Sequence, residues 1–305
     1  MQITAETMRI DGRDPETGSD NLTGIHAITT SSDSPAPGGK IRTKSDSLEI
    51  VNGGSIFTSS IGLGQGGDIE VTTKSLSLDN AGSIQATGGD VGPAGNISVQ
   101  ASGPVLLSNA SSVSTSAPGN SGGNISVRAG SDLRLFNSEI SASAGLNGGN
   151  ISLASPTLIY LLESTVTAQA DTTGTGFGNG GNLTLESPGV VMNRSSLISK
   201  SSFGNGGNIS ILSDYFFPSD SIIDASAPFG LPGTVQVTAP QVDLSGVLVL
   251  LPGNLLDAST LLRPDCGVRL GGNISSFIMM GRGGLPVAPW GFAPSPAPGE
   301  NNDHK

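Results

Sequence analysis

Gly95-Asn96-Ile97-Ser98-Val99-Gln100 is followed 28 residues later by Gly123-Asn124-Ile125-Ser126-Val127-Arg128, and these two stretches decide the fold. The same step occurs at Gly39-Lys40-Ile41, Gly67-Asp68-Ile69, Gly149-Asn150-Ile151, Gly181-Asn182-Leu183, Gly207-Asn208-Ile209 and Gly233-Thr234-Val235. Successive glycines are 28, 28, 28, 26, 32, 26 and 26 residues apart. A unit this short cannot bury an apolar face alone, so a period of this kind means a stacked array.

The interior of the unit identifies the array. Apolar residues two apart, as in Ile97-Ser98-Val99 and Ile209-Ser210-Ile211, give strand periodicity with one buried and one wet face. A second strand follows at Leu48-x-Ile50, Leu76-x-Leu78, Val105-x-Leu107 and Leu133-x-Leu135. A third starts at Ile56, Ile84, Val113, Ile140 and Val166. No segment has a helical period. The pattern predicts an all-β, right-handed parallel β-helix, a solenoid of about nine coils with the first incomplete. Residues 1–251 form the repeats, 252–286 a C-terminal capping segment, and 287–305 a Pro-rich tail whose composition predicts disorder.

Two asparagine columns fall at fixed phases. Asn96, Asn124, Asn150, Asn182 and Asn208 precede the first strand; Asn52, Asn80, Asn109 and Asn137 follow the second. Stacked amides hydrogen-bond along a cross-β axis, and asparagine tolerates the left-handed backbone of a tight corner. Several of these residues, with Asn273, also open Asn-x-Ser/Thr triplets, which alternatively read as glycosylation acceptors. Their place in the repeat favours the structural ladder.

Composition agrees. The 305 residues include 45 glycines, only 13% are charged and 4% aromatic, so the core must be filled by thin layers of Ile, Leu and Val. A net charge of −11 disfavours nucleic acid and anionic membrane surfaces, both of which need a basic face. No run of eighteen apolar residues exists, so no transmembrane helix is expected. Met1 to Ile10 is polar alternation rather than a signal peptide. It reads instead as strands of a coil already under way, with a polar insertion at Asp11 to Asn21, and the chain is expected to be the C-terminal portion of a longer protein.

After a last apolar strand pair at Gln241 to Leu251 the pattern changes. Cys266, then Ser275-Ser276-Phe277, then Gly281-Arg282-Gly283-Gly284-Leu285-Pro286 belong to no coil. Together with the Gly-Gly-Asn-Ile-Ser repeats, this signature resembles the C-terminal β-helical region of filamentous haemagglutinin-like exoproteins of Gram-negative bacteria and cyanobacteria. The resemblance implies a passenger exported by two-partner secretion through an outer-membrane transporter, by way of an N-terminal secretion domain that this sequence lacks. It implies a secreted or outer-membrane-associated location at the cell surface. The role it implies is adhesion, aggregation or biofilm formation, with cell-surface or matrix glycans or proteins as partners.

The alternative is a carbohydrate-active β-helix, a polysaccharide lyase or glycoside hydrolase, which needs carboxylates converging on one groove. Asp68, Glu70, Asp132, Glu139, Glu163, Glu186 and Asp214 fall at different phases of their coils, and Asp220 with Asp224 is the nearest pair. Solvated strand faces account for them, so no catalytic residue is assigned. His26 and His304 are too few for a metal cluster and His26 reads as a surface residue. Cys266 has no partner cysteine, leaving a free thiol or an intermolecular bridge. Gly66-Gly67-Asp68 and Gly88-Gly89-Asp90 lack the recurring phase of calcium-binding glycine repeats. No metal, cofactor or nucleic acid is expected. Recognition is expected in the loops after the third strands, Gly88 to Ala94 and Ala168 to Gly180, and at Asp11 to Asn21, which vary most in length.

Overall fold

A computed structural model describes residues 1–13, 23–30, 36–89, 91–170 and 178–239, all within one compact unit, Met1–Val242. Cys266, Asn273, the signature from Ser275 to Pro286, His304, the capping segment, the tail and the strand pair at 241–251 lie outside the described residues, as does most of the insertion at 11–21.

The described chain is a parallel β-solenoid. Its strands line up in three parallel sheets of nine, eight and eight strands, each strand pairing with its counterpart one coil away. Coil 4 is representative, with strands Ile97–Ala101, Val105–Ser108 and Ser112–Ser116. Coil 1 is complete, with Gln2–Thr4, Thr7–Asp11 and Gly24–Thr29. Eight coils are complete and a ninth contributes only Val235–Thr238 among the described residues. The first coil, expected to be incomplete, is not: the third strand expected at Ile25 to Ile28 is present as Gly24–Thr29 and pairs along its whole length with Ser55–Ser60.

Register turns sequence period into core. In the first sheet Ile41, Ile69, Ile97, Ile125, Ile151, Leu183 and Ile209 are successive partners, and all are 0 or 1% exposed. In the second, Ile50, Leu78, Leu107, Leu135, Leu161 and Met192 form a column that is wholly buried. In the third, Ile56, Ile84, Val113, Ile140, Val166 and Leu197 do the same. Each such side chain contributes about 1.5–3 kcal/mol on burial. A one-residue slip would turn a whole column outward, so the alternation fixes the register.

The third side is narrow where it meets the next first strand, and its inner residues there are small. Thr58 and Thr115 each donate a hydroxyl hydrogen bond, at 2.6 and 2.7 Å, to the carbonyls of Gly67 and Gly123. Ser199 donates instead to the carbonyl of Gly181, the glycine that opens its own coil. These three buried hydroxyls are therefore satisfied, whereas those of Thr43, Ser60, Ser187 and Ser213 are buried without a hydrogen-bond partner.

The conserved-phase glycines have a steric cause. A Cβ on Gly123 would lie inside the contact envelope of the Gly95 carbonyl oxygen, and one on Gly149 inside that of Gly123. Backbones of successive coils meet here without room for a side chain.

Surface charges are paired between coils. Arg9 binds Glu49 at 3.1 Å, Arg42 binds Glu70 at 2.7 Å and Lys74 binds Asp46 at 2.7 Å. Being exposed, each pair is worth about 0–1 kcal/mol. Hydrogen bonding acts on the carboxyls more consistently. The Ser108 hydroxyl and then the Asn109 amide hold the Asp79 carboxyl below its ordinary range. The Thr157 hydroxyl, then Arg134, does so for Asp132, and Lys40 with Arg42 for Glu70. A carboxyl lowered in the folded chain stabilises it above the unfolded pKa, and that contribution is lost as pH falls through the folded value. Asp79→Ala is therefore expected to lower the melting temperature at pH 7. The gap to the unsubstituted chain should narrow below about pH 4. Thermal melts of both proteins from neutral to strongly acidic pH check this; a gap that widens on acidification contradicts it.

Candidate functional site

Three corners per coil separate the strands, and the first asparagine column closes the third of them. The Asn124 amide N–H donates to Asn96 Oδ1 at 2.9 Å, Asn150 to Asn124 at 3.0 Å, Asn182 to Asn150 at 2.9 Å and Asn208 to Asn182 at 2.9 Å. Side-chain Nδ2 groups add bonds to the same oxygens, at 3.3, 3.0 and 3.1 Å for Asn124, Asn150 and Asn182. Asp68 starts the row by accepting from Asn96 N, and Thr234 N ends it on Asn208. Each side chain thus occupies a backbone donor that the corner would otherwise leave open.

A parallel row stands three residues earlier. Asn179 N donates to Asn147 Oδ1 at 2.9 Å, Asn205 N to Asn179 at 2.8 Å and Leu231 N to Asn205 at 3.0 Å. The sequence reading missed it, although Asn-Gly-Gly-Asn recurs at 147–150, 179–182 and 205–208. A serine row was missed too: the N–H groups of Ser138, Ser164 and Ser195 donate to the hydroxyls of Ser164, Ser195 and Ser221 at 3.1–3.2 Å.

Asn150→Ala is expected to cost about 1 kcal/mol, because Asn182 N–H loses its acceptor. Asn150→Asp keeps the acceptor, as Asp68 does in coil 3, and should cost less. Denaturant titration distinguishes them; equal losses contradict the acceptor role.

The second asparagine column behaves differently. Asn52, Asn80, Asn109 and Asn137 have φ of 54, 48, 54 and 46°, the left-handed region. Their side chains join only in part. Asn52 donates to Asp11 and Asn80 to Asn52, at 2.9 and 2.8 Å, but Asn109 turns to Asp79 at 2.7 Å and the amide chain stops. Glu163, Arg194 and Asp220 continue the corner at φ 50, 46 and 47°. The shared requirement is backbone conformation, which asparagine meets at low cost and these three meet under strain of about 1–2 kcal/mol per residue.

At this second corner, across coils 4 to 6, lies an open groove of about 490 Å³ whose lining includes Ser112, Asn137, Glu139, Glu163 and Thr165. Here neighbouring coils do present two carboxylates to one groove, which phase counting in the sequence did not show. Glu139 pairs with Thr165, two residues beyond Glu163, so a strand residue of one coil and the corner residue of the next line the same groove. Glu163 is also held by Arg194 Nη2 at 2.5 Å. A second groove, about 620 Å³ and more apolar, includes Pro156, Glu186, Pro188, Leu212 and Asp214.

The other candidates disperse. Asp220 sits in a left-handed turn, and Asp224 accepts from Ser226 N at 2.9 Å. His26 is half-buried rather than a surface residue: its Nε2 lies 2.9 Å from Ser55 Oγ and its ring edges Phe57 at 5.9 Å. Among the described residues, no three His, Cys, Asp or Glu side chains gather as a metal site. No helix there is long and apolar enough to cross a membrane.

The remaining feature is the tip of each third corner, where the loops expected to carry recognition stand. Leu63 and Val91 are 50 and 57% exposed, and Phe203 and Phe229 are 43 and 76% exposed. The two phenylalanines stack across adjacent coils, with ring centroids 5.4 Å apart and planes 9° from parallel. Parts of these loops, including Asp90 and 171–177, lie outside the described residues.

Compared with protein-family models, with curated proteins and with solved structures, the chain finds no match.

Proposed function

We propose that the chain is a non-catalytic segment of a surface adhesin of the filamentous haemagglutinin type, acting in adhesion, aggregation or biofilm formation. The single observation that supports this is the row of third-corner tips, which offers exposed apolar and amide groups from a rigid stacked scaffold. Loops held this way are suited to recognition. With a rise of about 4.8 Å per coil, eight coils set such tips along roughly 40 Å. Export by an outer-membrane two-partner transporter and a cell-surface location belong to this proposal.

The carbohydrate-active reading has one observation in its favour, the groove that Glu139 and Glu163 share. Glycoside hydrolysis would use one as acid and the other as base or nucleophile, and Arg194 occupies one oxygen of Glu163 by donating a hydrogen bond to it.

One experiment separates the two. The purified chain is expected to bind cells or immobilised matrix glycans, and to lose at least tenfold in binding when the corner tips at 61–65 and 201–205 are shortened. Incubation with polysaccharides should release no reducing ends or unsaturated products. Turnover abolished by Glu139→Gln or Glu163→Gln would replace the adhesive reading with the enzymatic one.

A further inference from the structure

We propose that the third corners form a seam along which a second copy of this chain packs side by side. The proposal rests on the adhesive reading and deepens its aggregation branch: the partner that these tips meet is a second copy of this chain. Three observations carry it.

The first is exposure in register. Ile61, Leu63, Val91, Phe203, Phe229 and Leu231 are 57, 50, 57, 43, 76 and 72% exposed, and all stand at third-corner tips, in coils 2, 3, 7 and 8. Between them Pro118 is exposed and Leu146 half-buried at the same corner. Hydrogen bonds align the tips of coils 3, 4 and 5: the Asn120 side-chain Nδ2 donates to the Val91 carbonyl at 2.5 Å, and Leu146 N to the Asn120 carbonyl at 3.0 Å. The Phe203–Phe229 stack continues this alignment through coils 7 and 8.

The second is charge. The described tips at 61–65, 91–93, 118–121, 145–147, 178–179, 202–205 and 228–231 contain no Asp, Glu, Lys, Arg or His. Outward strand faces, by contrast, carry Arg9, Arg42, Glu49, Glu70 and Arg134. Two copies each bearing −11 repel, and the repulsion is least where the facing strips hold no like charge. Asp90 and Asp171, which belong to the same loops by sequence, lie outside the described residues.

The third is area. Six apolar side chains offering roughly 100 Å² each give on the order of 600 Å² per partner, against about 800 Å² for a standard stable interface. A second copy carries the same coil rise, so its apolar tips in coils 2, 3, 7 and 8 are spaced to meet these in step. The expected association is therefore weak and concentration-dependent.

Sedimentation analysis of the full 305-residue chain tests this. The unsubstituted protein should shift from monomer to dimer with rising concentration in the micromolar to millimolar range. Phe203→Ser/Phe229→Ser/Leu231→Ser should weaken the association at least tenfold. Val91→Glu, a single exposed change in coil 3 that spares the fold, should weaken it severalfold, with partial recovery at high salt. Phe217→Ser/Ile222→Ser, which alters exposed apolar residues on strand faces of coil 8, should leave it unchanged. A chain that stays monomeric throughout, or a dimer lost only in the Phe217→Ser/Ile222→Ser variant, overturns the seam. Cell binding measured alongside keeps the two ideas apart: a monomer that binds cells overturns the seam alone, and a dimer that binds nothing supports the seam and overturns the adhesive reading.

Discussion

A chain carrying Gly123→Ala is expected to lose about 3 kcal/mol of stability, an unusually large effect for a single methyl group. The added Cβ would press on the Gly95 carbonyl oxygen and carbon, which are backbone atoms fixed by the parallel ladder on either side. No rotamer change relieves such a contact. Coils 4 and 5 would have to separate at the corner, breaking the Asn124-to-Asn96 bonds and loosening the Thr115 hydroxyl bond to the Gly123 carbonyl. Gly53→Ala provides the comparison. Its φ is +78° but nothing lies within 4 Å of its would-be Cβ, so only conformational strain of about 1–2 kcal/mol is expected. Chemical denaturation of both variants tests the distinction, and a Gly123→Ala chain as stable as Gly53→Ala would show that the coils have more room than the corner geometry allows.

Leu135→Ala is expected to cost about 3 kcal/mol as well, for a different reason. Leu135 is wholly buried in the middle of the stack, in register with Leu107 on one side and Leu161 on the other. Truncation leaves a cavity that the two ladders prevent from collapsing. In an array held by nearest-neighbour contacts, a fault at mid-stack also weakens the coupling between the halves. Unfolding should accordingly broaden or split, with amides of coils 4 to 6 exchanging first. Arg134→Ala, one residue away on the outer face, should change stability by less than about 0.5 kcal/mol. Comparable losses in both variants would contradict the inward and outward assignment of this strand.

The stacked architecture was legible because three physical demands repeat at fixed phase: glycine where backbones touch, a branched apolar residue where the core is one layer thick, and asparagine where the corner turns. The solenoid and its strands follow from these. Less legible was anything depending on how residues of neighbouring coils come together. Glu139 and Glu163 stand two residues apart in phase, as counting along the chain has them, yet share a groove because Glu163 occupies the corner beside Thr165, the partner of Glu139. The Asn147, Asn179 and Asn205 row was present in the Asn-Gly-Gly-Asn motif, which recurs in only three coils and so gives a weaker period than its second asparagine. The column from Asn52 to Asn137 shows the converse: its identity suggested a continuous amide ladder, whereas the corner asks for positive φ and accepts Glu163, Arg194 and Asp220 as well. The exposed tips carry a signature that the strand pattern overshadows: an apolar residue followed by glycine recurs at Leu63-Gly64 and Val91-Gly92, 28 residues apart, and at Phe203-Gly204 and Phe229-Gly230, 26 apart.

Coil-on-coil register is the claim on which site and seam both depend, and one cross-link measures it. Ser98 and Ser126 are Cα partners in adjacent first strands, at the strand separation of about 4.8 Å that a disulfide spans. In a Cys266→Ser background, Ser98→Cys/Ser126→Cys is predicted to form an intramolecular disulfide on mild oxidation, identified by peptide mass. Ser98→Cys/Arg128→Cys, offset by two residues, is predicted to form little. Equal cross-linking of the two pairs, or a link only in the offset pair, would contradict the 28-residue register and the stacked solenoid built on it.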